Sequence, residues 1–468
     1  MVSIVVDENN SVYDSRNNCN AIIETATNTL VQGCNGTFIP EGVETIGAAF
    51  CGCHNIKKIE IPSTVTKIDA NAFVYCVSLE SIVIPASVTS LNVSFMYCDN
   101  LKSIVVEDGN PVYDSRGNCN AIIETATNTL VQGSNAAIIP NGVTSVGKYA
   151  FCACSNLKNI TIPESVTSIA EYAFGGCRAL TNITIPSSVT SIGDGAFSGC
   201  VSLAGIELPG SITAIKRNTF NQCSALKNIT IPESVTRIEY YAFGYCSSLE
   251  GISIPASVTE IDYEAFSHCT SLKWFNIEDG TTVLKLFGNS RSFFDSYCPL
   301  ETLYLGRQIE CYRLFDYNNN KFNTLTIGAN VTSMGNISFS DCKALTKVYS
   351  LNPTPPVVHS STFSWGKCIL YVPYGSLEAY KKGGWGVYFK DIQEFNATGV
   401  ENVEEDAPCF EVAFGTLRFT NARGKCVAVY TSGGALVEKI NSYAGEEIAL
   451  DNGVYIICVG DKSVKVKL

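Results

Sequence analysis

One unit recurs along this chain every 22 or 23 residues, and no other feature restricts its possible folds so sharply. Prolines preceded by isoleucine or leucine stand at 40, 62, 85, 140, 163, 186, 209, 232 and 255, with one gap between 85 and 140. The string Leu157-Lys-Asn-Ile160-Thr-Ile162-Pro163-Glu-Ser-Val166-Thr-Ser-Ile169-Ala-Glu-Tyr-Ala173-Phe174-Gly-Gly-Cys177 returns at Leu180 to Cys200, Leu203 to Cys223, Leu226 to Cys246 and Leu249 to Cys269. Six to eight apolar residues in each 23 are too few to enclose a core. Successive units must therefore bury their apolar sides against one another, which makes one elongated body of a length that would otherwise divide into domains.

Within a unit, Leu-x-x-Ile-x-Ile alternates with period two and reads as a short strand with one buried face, ended by the proline. Val-Thr-x-Ile is a second extended piece, and Ala-Phe-x-x-Cys is expected to form a helical or 3₁₀-like turn with its phenylalanine inward. The expected architecture is a right-handed leucine-rich solenoid of about 23-residue coils with a parallel sheet along one face. Its core ladder runs through Phe174, Cys177, Phe197, Cys200, Phe220, Cys223, Phe243 and Cys246. Nine of the 21 cysteines occupy this one repeat position, at 53, 76, 98, 154, 177, 200, 223, 246 and 269. A column of like residues at coil spacing reads as buried thiols behaving as small hydrophobes rather than as a disulfide framework. Cys19 and Cys34 leave one bridge open in the first copy only, since Cys119 faces Ser134 in the second.

The repeat is interrupted twice in the same way. Cys19 to Gly33 recurs letter for letter at Cys119 to Gly133, and its alternating halves predict β-hairpins inserted near 14–34 and 114–134. The start, Met1-Val2-Ser3-Ile4-Val5-Val6, resembles the middle of the unit that includes Ser103 to Val106, so Met1 is read as a truncation or cloning start, with any export signal and earlier repeats removed. The solenoid is expected to occupy 1–397, with an irregular aromatic-rich part near 280–325 and a short helix after Pro373 covering the last coil. Acidic residues 398–408 read as a linker. Six short apolar segments within 409–468 predict a small β-sandwich.

Chemistry is sparsely provided. Three histidines, His54, His268 and His359, leave little for metal centres or imidazole catalysis. Cys51-Gly-Cys53-His54 has no paired cluster, no Gly-x-Ser-x-Gly elbow surrounds any serine, and Glu60 and Glu207 lie about six coils apart, too far for paired-carboxylate hydrolysis. No catalytic, cofactor or metal site is assigned. With 32 basic against 44 acidic residues the net charge is −12, which disfavours nucleic acid or an anionic membrane as partner. No run of eighteen apolar residues is present to span a bilayer.

The string Ile-Pro-x-Ser-Val-Thr-x-Ile-x-x-x-Ala-Phe-x-x-Cys-x-x-Leu, carried by Pro163, Val166, Ile169, Ala173, Phe174, Cys177 and Leu180, closely resembles the BspA-like, treponemal-type leucine-rich repeat over about residues 2–395. The resemblance implies a curved solenoid on exported bacterial proteins, some of them adhesins for host matrix proteins or other cells, with no shared catalytic residues. The last segment is similar to C-terminal β-domains of Bacteroidetes exported proteins, through Thr398-Gly-Val-Glu-Asn-Val403 and Gly453-Val-Tyr-Ile-Ile457. The expected role is a non-catalytic extracellular or cell-surface binding protein that presents an extended face to a protein or glycan on a host or neighbouring cell. The alternative is a structural, self-associating surface protein. The expected face is one continuous column of outward strand residues, Glu60, Thr161, Thr184, Glu207, Thr230, Ser253, Asn276, Tyr304 and Thr326, with Trp274 one position off it. The aromatics between 287 and 322 either fill gaps in irregular coils or project as a contact loop.

Overall fold

The computed structural model describes residues 3–395 except 93, 288–291, 316–319, 365 and 367, together with the strand segments between 410 and 467. Each coil is held to its neighbours along three sides. On the first, Leu-x-x-Ile-x-Ile segments pair in parallel, as in Asn159–Thr161 with Asn182–Thr184. On the second, two-residue strands from Val-Thr-x-Ile do the same, with Ser168–Ile169 lying between Ser145–Val146 and Ser191–Ile192. The solenoid therefore carries two sheets where a single sheet face was expected.

The third side is the Ala-Phe-x-x-Cys turn, and it is not helical. In most of the turns two left-handed residues stand four apart, for example Tyr172 and Gly176 (φ 49° and 72°), Tyr241 and Tyr245 (φ 52° and 59°), and Glu264 and His268 (both φ 60°). With this backbone every second N–H points along the stacking axis, as those of Tyr172, Phe174 and Gly176 do toward Asp194, Ala196 and Ser198. Phe151, Phe174, Phe197, Phe220 and Phe243 accordingly donate their backbone N–H to carbonyls of Ala173, Ala196, Thr219, Ala242 and Ala265 in the following coil, at 2.7–3.0 Å. A regular helix would direct all of these donors back into its own turn.

Side chains add further ties between coils. The motif serines donate to the carbonyl of the preceding coil's valine or isoleucine: Ser165 Oγ to Val143 at 2.7 Å, Ser188 to Val166 at 2.7 Å, and Ser234 to Ile212 at 2.6 Å. The column cysteines are thiols that reach one coil back in the same way, Cys177 to the Phe151 carbonyl and Cys200 to that of Phe174, both at 3.2 Å. Each phenylalanine carbonyl also accepts the N–H of its own coil's cysteine, so both lone pairs are used. The phenylalanine rings stack face to face, with centroids 5.1–5.8 Å apart from Phe50 to Phe95 and from Phe151 to Phe266. Cys19 is a thiol near the Ala21 carbonyl at 4.0 Å, so the bridge considered for the first copy is not formed.

Antiparallel hairpins join Ile22–Glu24 to Thr29–Gln32 and Ala121–Glu124 to Thr129–Gly133. The second arm of each enters the solenoid as a substitute for a Val-Thr-x-Ile strand: Thr129 and Leu130 pair in parallel with Ser145 and Val146. The strand Ala121–Glu124 then acts as a partition. Ile122 packs into the core of residues 19–113, and Ala121 and Ile123 pack into that of residues 119–389.

Beyond Cys269 the coils lengthen. Phe293, Phe294, Phe315 and Phe322 are buried and fill the extra interior through T-shaped and tilted contacts, while Phe287, Tyr297 and Tyr312 are exposed. The gap-filling reading thus holds for the buried rings, and the other three stand on the surface. Buried Arg307 donates to the carbonyls of Ala256 and Pro255 at 2.7 and 2.9 Å. The solenoid ends under the helix Leu377–Lys382 and the turn Trp385–Val387. Tyr380 and Trp385 are fully buried there, with the tyrosine hydroxyl donating to the Asn352 carbonyl and the indole N–H to that of Pro356, which closes the last coil. The expected linker at 398–408 lies outside the described residues. Strands after it pair as a three-stranded set, Phe410–Ala413, Thr416–Phe419 and Ile448–Ala449, and a four-stranded set, Leu436–Ile440, Val427–Thr431, Val454–Val459 and Lys462–Lys467.

Candidate binding face

The widest sheet joins seven parallel strands: Gly251–Ile254, Trp274–Ile277, Thr302–Leu305, Thr324–Ile327, Lys347–Ser350, Cys368–Pro373 and Phe389–Phe395. Alternation sets its two faces. Phe275, Ile277, Leu303, Leu305, Leu325 and Ile327 are buried, so the residues between them project outward. Register places Ser253, Asn276, Tyr304, Thr326, Tyr349 and Tyr371 in one column. Trp274 does not stand off this face. It lies two residues before Asn276 on the same side, in the neighbouring column between Gly251 and Thr302.

The outward column is nevertheless not continuous along the chain. Thr161 and Thr184 pair, with a bridge to Glu207, and Val83 pairs with Val105, but no strand pairing joins these two groups among the described residues. Glu60 and Thr230 are exposed in segments that form no ladder among the described residues. The ladder along the column from Glu60 to Thr326 is thus in three pieces among the described residues. Only the last widens into a face.

That face is aromatic and well supported. Trp274, 43% exposed, lies across the backbone of Gly251, where any Cβ would overlap the indole ring. Asn276 Nδ2 donates to Ser253 Oγ at 2.8 Å, and the Tyr304 hydroxyl donates to Asp279 Oδ1 at 2.8 Å. Burial, together with this bond to a carboxylate, pushes the Tyr304 phenol well above its ordinary range, so it stays a neutral donor. Tyr349 and Tyr371 stack at 4.6 Å. These two tyrosines were not anticipated; the alternation in Val348-Tyr349-Ser350 and Leu370-Tyr371-Val372 was the available signal. Flat rings interleaved with amide and hydroxyl groups suit recognition of a surface. For the Gly251→Ala variant we predict that the indole leaves its seat while the coil stays folded: tryptophan emission shifts and far-ultraviolet dichroism does not.

Other candidates resolve differently. Ser267, His268 and Asp295 come together, with Ser267 Oγ 2.7 Å from Asp295 Oδ2 and 2.8 Å from His268 Nδ1. The carboxylate also accepts the backbone N–H groups of His268, Tyr297 and Cys298. Ser267 is 5% exposed and donates to the carboxylate, so the cluster ties a coil turn rather than arming a nucleophile. On the turn side, left-handed Tyr245 and His268 stack on each other at 4.4 Å, and His268 stacks on Tyr297 at 4.3 Å. Cys53 points inward, while Cys51 and His54 are exposed.

Residues 32–121, 134–250 and 238–368 match the family model described as the BspA type leucine rich repeat region, in six copies. Among solved structures, a leucine-rich repeat protein from Eubacterium ventriosum is 25% identical, over 50% of this chain and 76% of its own, with a TM-score of 0.43. A leucine-rich cell surface protein from Faecalibacterium prausnitzii is 31% identical over 56% of this chain and 61% of its own, TM-score 0.40. A leucine-rich repeat protein from Bacteroides ovatus is 23% identical over 83% of this chain and all of its own, TM-score 0.42. No curated protein matches the chain.

Proposed function

The chain belongs to the BspA-type leucine-rich repeat family, and from that premise we propose a non-catalytic binding protein, displayed outside the cell, that holds a protein or glycan partner on the sheet face between Gly251 and Phe395. The reading rests on one observation above the rest: a half-exposed indole seated flat on a glycine, beside Asn276, Tyr304 and the Tyr349–Tyr371 stack, on a rigid seven-stranded sheet. Rigid aromatic area with neighbouring hydrogen-bonding groups binds at low entropic cost. Adhesion to a host surface or neighbouring cell is the form of this role that the family resemblance suggests, with the strands beyond 409 serving as a spacer or sorting module. No helix among the described residues is long and apolar enough to cross a membrane.

Matrix-protein and glycan arrays test the proposal. The native protein is expected to retain a discrete set of ligands, and Trp274→Ala combined with Tyr371→Ala to weaken that binding at least tenfold with unfolding unchanged. Equal retention by the double variant would refute this face as the site.

A further inference from the structure

A protein and a glycan make different demands on an exposed ring, and the surroundings of Trp274 suit one of them. The indole lies flat on the strand Gly251–Ile254, with Cε2, Cδ2 and Nε1 all crowding the place where a Cβ of Gly251 would stand. One face of the ring is therefore packed on backbone. The other is turned to solvent, on a residue 43% exposed. A side chain that anchors a protein interface sits instead in a pocket whose rim excludes water. The ring's neighbours on the sheet raise no such rim. They are Ser253, Asn276 and Thr302 by strand register, and Asn228, which holds the position of Gly251 one coil earlier. All four are short, polar and uncharged.

Two of them are only half satisfied. Asn276 Nδ2 donates to Ser253 Oγ at 2.8 Å, which leaves the asparagine carbonyl oxygen as an acceptor and the serine O–H as a donor, neither with a partner among the described residues. Ser253 lies two residues beyond Gly251 and Asn276 two beyond Trp274, on paired strands. This donor and acceptor thus border the indole at about 6.6 Å along the sheet. A pyranose carries the matching chemistry: an apolar C–H face that lies on a flat ring, and a rim of hydroxyls that each donate and accept.

Building on the sheet-face proposal, we infer that the partner held there is a neutral glycan, with one sugar stacked on the outer face of Trp274 and its rim hydroxyls bonded to Ser253 and Asn276. The four neighbours carry no charge to pair with an acidic sugar. From Thr302 the parallel strands continue toward Tyr349 and Tyr371 at about 4.8 Å per step, so further units of an extended chain meet hydroxyl and aromatic groups along the ladder.

Calorimetric titration of the full chain with soluble polysaccharides tests this: unbranched glucan, xylan, mannan and galactan as neutral probes and a polyuronate as the acidic one, beside the matrix-protein array. At least one neutral probe is expected to bind. Its affinity should fall about tenfold in Trp274→Ala and in Gly251→Ala, which unseats the ring without removing it, and about fivefold in Asn276→Ala, with far-ultraviolet dichroism unchanged in all three. Matrix proteins retained in a Trp274-dependent way while every polysaccharide fails would overturn the glycan assignment and leave the sheet face as a protein site. Binding of the polyuronate alone, or polysaccharide binding indifferent to Trp274, would also overturn the assignment. Retention of neither class would overturn the sheet-face proposal with it.

Discussion

Replacing Phe197 with alanine is expected to lower the unfolding free energy by about 3–5 kcal/mol, the usual range for emptying an aromatic site in a packed core. The ring is fully buried, with Phe174 and Phe220 stacked on its faces at 5.6 and 5.8 Å. Neither neighbour can collapse into the space, because each is fixed by the next ring and by backbone bonds between coils. In a stacked repeat the loss also falls on two interfaces at once. Urea denaturation gives the measurement: a shift of the midpoint to lower denaturant, against a near-neutral result for an exposed residue of the same coil such as Thr190. A change below about 1 kcal/mol at Phe197 would mean that the ring stack is not what holds the coils.

Alkaline pH is expected to unfold the protein through its cysteine column. Burial pushes the thiols of Cys76, Cys154 and Cys200 up to about 12, and that of Cys223 well above its ordinary value. The folded chain therefore keeps protons that the unfolded chain releases near pH 9. Stability from these groups is complete below that pH and declines as pH rises toward about 12, by about 1.4 kcal/mol per pH unit for each such thiol. Urea midpoints measured at pH 8, 9, 10 and 11 should fall with increasing steepness. Tyrosines titrate in the same range, so the discriminating variant is Cys200→Ala with Cys223→Ala, whose decline should be shallower by two thiols. An unchanged slope in that variant would place the effect elsewhere.

What could be read from the residues follows from how mechanical the constraint is. A 23-residue period with fixed apolar positions leaves little choice of fold, so the solenoid, the inward phenylalanines and the buried sulfur column were all legible. The hairpin strands were legible because Ala121-Ile-Ile-Glu124 and Thr129-Leu-Val-Gln132 alternate around a polar turn. The turn conformation was not. Tyr172, Gln222 and Glu264 are not residues that announce left-handed backbone, and only scattered glycines and asparagines at equivalent positions, such as Gly52, Asn71, Gly176, Gly195, Gly199 and Asn218, hinted at it. The motif serines were equally opaque, since a hydroxyl bonded to a carbonyl one coil away is spelled like a solvated one. The breaks in the ladder along the exposed column were not legible, because a strand motif does not reveal whether its residues complete the hydrogen bonds to the next coil. Tyr349 and Tyr371 escaped notice because Ser350 and Val372 follow them, where isoleucine or leucine follows Ser253, Asn276, Tyr304 and Thr326.

Every coil is held to stand only by its neighbours, and native-state amide hydrogen exchange probes that dependence most directly. The N–H groups of Phe151, Phe174, Phe197, Phe220 and Phe243 each donate to the following coil. They are predicted to exchange at least a thousandfold more slowly than in the unfolded chain, and to lose protection together in Phe197→Ala. Exchange of these amides within tenfold of unfolded rates, or loss of protection confined to Phe197 alone, would contradict it.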